Sequence, residues 1–200
     1  MKVRSLIIIP LFVFTILFAD AKIKGPFVYS EIYSKSGVIT NTDSIGIKLP
    51  KKHEPITLIE NVYTKRAKKG RKIEAEEVDS LVAWMRSSPE SRHTFINLSP
   101  YGWCWQLERN PLISLYVYSK KGYRIWGNGG AQACGKYILV VVKDGVRTEF
   151  KNTHKSANDK FRRELADMVS DDPVLSEMIL QSRTRRDKTL RMLSLYNPVN

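Results

Sequence analysis

The chain has 200 residues, two cysteines and 33 Lys plus Arg against 20 Asp plus Glu, a formal net charge of +13. That length leaves no room for two large domains. A 42% hydrophobic and 10% aromatic composition excludes global disorder. Two cysteines exclude both a cysteine-dense disulfide scaffold and a four-cysteine zinc site.

Residues 1–21 have the layout of a secretory signal peptide. Lys2 and Arg4 form a positive start, residues 6–18 form an apolar run, and Ala19-Asp20-Ala21 matches the small-x-small cleavage pattern. A helix spanning the bilayer takes about 20 apolar residues, so this run is short for an anchor. The expectation is a secreted or periplasmic chain after cleavage near Ala21. No cysteine lies beside that position, so a lipoprotein is not expected. No second apolar run reaches 18 residues, so the mature chain should lack a transmembrane segment. Loss of Lys2, Arg4 and Asp20 leaves a charge of +12, so the basic balance belongs to the exported part.

Strand candidates then recur between turn signals: 27–33, 56–63, 95–98, 103–107, 112–118, 123–126, 137–142 and 146–150. Asp144-Gly145 between two apolar runs is a hairpin signal, since both residues tolerate positive φ. Gly127-Asn128-Gly129-Gly130 predicts another hairpin loop. Val78, Leu81, Val82 and Met85 fit a helical stripe, while Val78, Val82 and Trp84 fit a strand. The neighbouring strands favour strand there. After Phe150 the pattern turns helical. Phe161, Leu165, Met168 and Val169 share one face, with Ser156 or Asn158 as cap. Asp172-Pro173 opens a second helix as N-cap and first helical residue. A third carries Leu190, Leu193 and Tyr196. The expected fold is α+β: an antiparallel β-meander (a sheet, a sandwich or a partly closed barrel) over 22–153, then two or three short helices over 154–200 packed on the same domain.

In an oxidising compartment Cys104 and Cys134 can pair, which would stabilise by about 3–4 kcal/mol in the chain-entropy model. Two separate buried thiols are the alternative. Gly102-Trp103-Cys104-Trp105 resembles the surroundings of nucleophilic cysteines in thiol hydrolases and transglutaminase-like enzymes. Such a nucleophile needs a base and an orienting group, which His154 and Asp159 would supply in a thiol hydrolase or acyltransferase. In those families the cysteine opens a helix, whereas strand patterns follow here. Gly130 to Lys136 spells the front of a phosphate-binding loop. Tyr137 stands where Ser or Thr should hold magnesium, and a strand pattern follows in place of a helix. Nucleotide binding is therefore not expected. His53, His93 and His154 show no metal-ligand spacing, so neither metal nor other cofactor is expected.

The positive charge is clustered. Lys65, Arg66, Lys68, Lys69, Arg71 and Lys72 form one run. Arg183, Arg185, Arg186, Lys188 and Arg191 form a second, against Asp187 alone. Such clusters attract anionic surfaces: acidic polysaccharide, lipid headgroups or an acidic protein. Nucleic acid is not expected, because no recognisable nucleic-acid fold or stacking platform accompanies them. Trp103, Trp105, Tyr116 and Tyr118 are interleaved with apolar residues and are expected in the core.

Several stretches resemble uncharacterised secreted β-rich proteins of Gram-negative anaerobes that end in a short helical tail. The resemblance rests on 112–118, on the strand from Tyr137 to Lys143, and above all on the tail. That tail runs Phe161, Leu165, Asp172-Pro173-Val174-Leu175, Ile179, Leu193 and Tyr196-Asn197. It implies a signal peptide and an irregular meander, but no activity. The functional expectation is a non-enzymatic binding or envelope-associated protein that engages an anionic partner through its basic clusters.

Overall fold

The computed structural model describes residues 27–40, 45–62 and 67–198. The signal-peptide reading, Lys65 and Arg66 fall outside them. The chain is α+β: the described residues form thirteen strands in three open antiparallel sheets, then three short helices. The strands are β1 Tyr29–Ser34, β2 Gly37–Thr40, β3 Ile45–Ile47, β4 Ile56–Glu60, β5 Lys68–Ile73, β6 Val78–Met85 and β7 Ser88–Leu98. They continue as β8 Gly102–Arg109, β9 Ile113–Ser119, β10 Tyr123–Ile125, β11 Ala131–Ala133, β12 Tyr137–Lys143 and β13 Val146–Phe150. The main sheet has eight strands in the order β13-β12-β9-β8-β7-β6-β1-β2. Strands β3-β4-β5 form a second sheet and the hairpin β10-β11 a third.

Register gives the main sheet one continuous apolar face. One cross-strand row runs Ile39, Ile32, Leu81, Phe95, Trp105, Val117, Leu139 and Phe150, touching all eight strands. Every member lies in the core or packs against it. Ile47, Ile56 and Ile73 of the second sheet join that core, as do Tyr123 and Ile125 of β10. Each such side chain contributes roughly 1.5–3 kcal/mol on burial. Residues 78–85 are strand because they must line this face: Leu81 and Ala83 are fully buried at two-residue spacing, not helical spacing. Asp144 and Gly145 take φ of 50° and 76°, the left-handed pair a two-residue hairpin demands.

The loop before β4 is clasped to the start of β8. Lys52 carbonyl accepts from Trp103 N–H at 2.6 Å, and Trp103 Nε1 donates to the Glu54 carbonyl at 2.9 Å. Helices α1 Asp159–Met168, α2 Pro173–Gln181 and α3 Arg186–Arg191 place Leu165, Val169, Leu175, Ile179 and Leu190 in the same core. Asn158, not Ser156, caps α1, and Asp172 caps α2 by accepting from Leu175 N–H. Among the described residues no helix is long and apolar enough to cross a membrane.

A charged clamp fastens the tail to β12. Lys143 Nζ donates to both Asp171 oxygens at 2.8 and 2.9 Å and to the Met168 carbonyl at 2.8 Å. Tyr196 hydroxyl also donates to Asp171. The Lys143 ammonium, then the Tyr196 hydroxyl, holds the Asp171 carboxyl below its ordinary value. A carboxyl depressed by folding contributes stability above its unfolded pKa and loses it as pH falls through its folded one. Asp171→Asn should therefore cost about 1 kcal/mol near pH 7, since the carboxylate is half exposed. The difference from the parent should shrink as the pH falls into and below the ordinary carboxylate range, about 4. Urea unfolding at the two pH values checks both.

A lysine-rimmed concavity on the open sheet face

The opposite face of the main sheet carries the side chains that alternate with the core row. On β9, Ile113, Leu115 and Val117 are buried, so Ser114, Tyr116 and Tyr118 face the other way. Tyr118 pairs in register with Ile138, and Ile96 with Cys104. Trp103 and Trp105 join the core as expected. Tyr116 and Tyr118 do not: they are half-buried on this second face.

Here the sheet order converges four segments on one spot. The turn before β8 brings Tyr101; the end of β9 brings Tyr118, Lys120 and Lys121. The start of β12 brings Lys136 and Ile138, and the end of β13 brings Glu149 and Lys151. Together they enclose a concavity of about 790 Å³. Its floor is aromatic and aliphatic. Tyr101 and Tyr118 have ring centroids 5.4 Å apart, inclined by 48°. Its rim is cationic, with Lys120, Lys121, Lys136 and Lys151 all exposed. One carboxylate sits among them: Glu149 accepts from the Tyr101 hydroxyl at 2.8 Å and lies 3.5 Å from Lys151 Nζ. Burial first, then the bond to Glu149, pushes the Tyr101 hydroxyl up to about 12. It stays a neutral donor that holds its own ring in place. A second concavity, of about 600 Å³, shares Lys136, Tyr137, Ile138 and Lys151 and extends to Asn152, Thr153 and His154.

None of the four lysines belongs to a run that stands out in the sequence. Each sits in a turn or at a strand end, and only the antiparallel neighbour order gathers them. The usable signal was the alternation Ser114, Tyr116, Tyr118, which marks an amphipathic face opposite the core.

The basic runs read from sequence have other surroundings. In β5, an edge strand, Lys68, Lys69, Arg71 and Lys72 are exposed, and Lys68 pairs with Glu60 at 3.1 Å. Charged side chains on an edge block pairing with another chain, which accounts for them without a ligand. Arg185 makes a two-pronged contact with Asp187 at 3.0 and 2.7 Å, Arg191 binds Glu108 at 2.9 Å, and Arg186 lies over the Phe161 ring. Arg183 and Lys188 remain exposed. The second run is thus largely spent on holding the tail together.

The proposed catalytic trio is not assembled. Cys104 is fully buried, and desolvation pushes its thiol up to about 12. A nucleophilic cysteine needs the opposite shift. His154 lies exposed beyond β13, and Asp159 is exposed on α1, paired with Arg162. Among the described residues no hydrogen bond or ion pair joins any two of the three.

The expected Cys104–Cys134 bridge is corrected as well, since both thiols are free. The reason is topological. Cys104 alternates with Trp103 and Trp105, so it points to the open face, beside Tyr118. Cys134 ends the β10-β11 hairpin, whose Tyr123, Ile125, Ala131 and Ala133 pack on the core face. Cys104 is buried, whereas Cys134 is only half-buried. Iodoacetamide at neutral pH should therefore label Cys134 and spare Cys104, with both labelled after unfolding. Intact mass without reductant should show two free thiols.

The segment from Gly130 to Lys136 contains strand β11 and leads into β12, with no helix to receive a phosphate. His53 and His93 have their Nε2 atoms at backbone carbonyls, those of Pro100 and Gly129. Among the described residues no three His, Cys, Asp or Glu side chains cluster as a metal site would need. No protein-family model, curated protein or solved structure matches the chain.

Proposed function

We propose that this chain is an exported, non-enzymatic binding protein for an anionic partner, and that the partner sits in the concavity over Tyr101 and Tyr118. One observation carries the reading: Lys120, Lys121, Lys136 and Lys151 surround a single apolar floor of ligand-binding size. Four cations focused on one recess attract an anion more strongly than the same charges spread over a surface. Export rests on the leader-like layout of residues 1–21. Binding is preferred to thiol chemistry because the Cys104 sulfur is buried and its proton is held.

The basic strand β5 and the exposed Arg183 and Lys188 add a long-range positive field but no recess. Binding to an anionic polymer should weaken steeply as salt rises, because the Debye length shrinks from about 30 Å at 0.01 M to about 8 Å at 0.15 M. Titration calorimetry across that range reads it directly. Affinity independent of salt, or no binding to any polyanion at low salt, overturns the proposal.

A further inference from the structure

We infer that the ligand of the Tyr101–Tyr118 concavity is an acidic glycan, a polysaccharide whose rings carry carboxylate or sulfate groups. The inference rests on the anion-binding reading and narrows it to one chemistry. A sugar ring offers an apolar face of C–H groups, an edge of hydroxyl donors and, in an acidic glycan, a negative charge. Recognising all three at once takes a flat apolar surface, a cation and an acceptor in one place.

The concavity supplies each of them. Tyr101 and Tyr118 provide two ring surfaces inclined by 48°. Tyr101 has its hydroxyl tied to Glu149, so its contribution to the recess is the ring. Lys120, Lys121, Lys136 and Lys151 provide the cations.

Glu149 is the discriminating residue. A carboxylate has about four acceptor positions, and Tyr101 and Lys151 occupy two. The remainder can accept from sugar hydroxyls. A polyphosphate or a DNA backbone offers that carboxylate no donor, so to them it is only repulsive. Lipid headgroups fit the site less well. None of the large exposed apolar side chains, such as Val146, Val174 or Trp126, belongs to its lining, so nothing there would enter an acyl layer. An extended peptide adding to a sheet needs an unpaired strand edge, whereas the floor at Tyr118 and Ile138 lies over β9 and β12, which are paired on both sides; β13 alone of the lining strands is an edge.

Length agrees with a polymer. The second concavity continues from Lys136 and Lys151 toward His154, so the recess is an elongated groove rather than a pit for one small ion.

The test compares polyanions on the full exported chain. Calorimetry at about 0.15 M salt would use an oligogalacturonate, a sulfated oligosaccharide, the uncharged analogue of the first, polyphosphate, polyglutamate, single-stranded DNA and vesicles containing phosphatidylglycerol. The expected result is that at least one acidic oligosaccharide binds about tenfold or more tightly than every non-sugar polyanion of equal charge, a difference near 1.4 kcal/mol. Its uncharged analogue should bind weakly. Tyr118→Ala should collapse that preference, and Glu149→Gln should narrow it. Tyr118→Leu keeps apolar contact with Tyr101 and serves if the alanine variant does not fold. Equal binding of all polyanions, or a preference for DNA or vesicles, overturns the glycan assignment and leaves the anionic reading standing. A preference untouched by any Tyr118 variant overturns it too. Binding of nothing in the panel, even at low salt, overturns both.

Discussion

Gly102→Ala should lower the melting temperature by about 6–12 °C, the shift that follows from roughly 3 kcal/mol in a chain of this size. Gly102 has φ of +86°, and a Cβ there would stand 1.9 Å from the Lys52 carbonyl oxygen. That oxygen belongs to backbone and is already held by Trp103 N–H, so no side-chain rotation relieves the clash. Gly145→Ala is the matched control. Its φ is +76°, but nothing lies within 4 Å of the added carbon. It should cost only the left-handed strain of about 1 kcal/mol. The pair separates close approach from backbone conformation. If both variants lose the same stability, the clasp between the 51–54 loop and β8 is not what Gly102 serves. Tyr101 adjoins Gly102, so Gly102→Ala should also weaken ligand binding beyond what stability explains.

Reversing two rim charges, Lys136→Glu with Lys151→Glu, should weaken binding of an anionic polymer by about a hundredfold at low salt, within the range that opposed charge pairs produce at interfaces. Folding should be barely affected, because both side chains are exposed and the Lys151–Glu149 pair is a surface one. Arg183→Glu with Lys188→Glu changes net charge by the same amount at exposed positions of the tail. It should weaken binding only several-fold, through the screened long-range field. Equal losses from the two double variants would mean that net charge, and not this recess, governs attraction.

The legible parts of the fold are those where side-chain alternation and turn chemistry agree. Strands β8, β9, β12 and β13 alternate or run apolar, and Asp144-Gly145 closes the last hairpin. Asp172-Pro173 announced α2 because capping is a local property. Strand β5 escaped because an edge strand of lysines has no apolar alternation, and its Gly70 lies inside the strand rather than at a turn. Strands β2, β3 and β11 span only three or four residues, too short to show a period. The site escaped for a different reason. Runs of charge along the chain, such as 65–72, are conspicuous, but the described strand part of this one, 68–72, is exposed on an edge. The rim lysines come from three separate stretches, Lys120-Lys121, Lys136 and Lys151, which meet only because β8, β9, β12 and β13 are neighbours in the sheet. Cys104 and Cys134 illustrate the same point: both stand in apolar surroundings along the chain, but the fold leaves both thiols free.

The proposed anionic binding is localised to the Tyr101–Tyr118 concavity. Nuclear magnetic resonance of the isotopically labelled protein, titrated with an acidic oligosaccharide at low salt, tests it most directly. Saturable shifts are expected at Tyr118, Lys120, Lys136, Ile138 and Lys151, with β5 and the Arg183 to Lys188 segment unmoved. Shifts confined to β5 or to that tail segment, with the concavity silent, would contradict it.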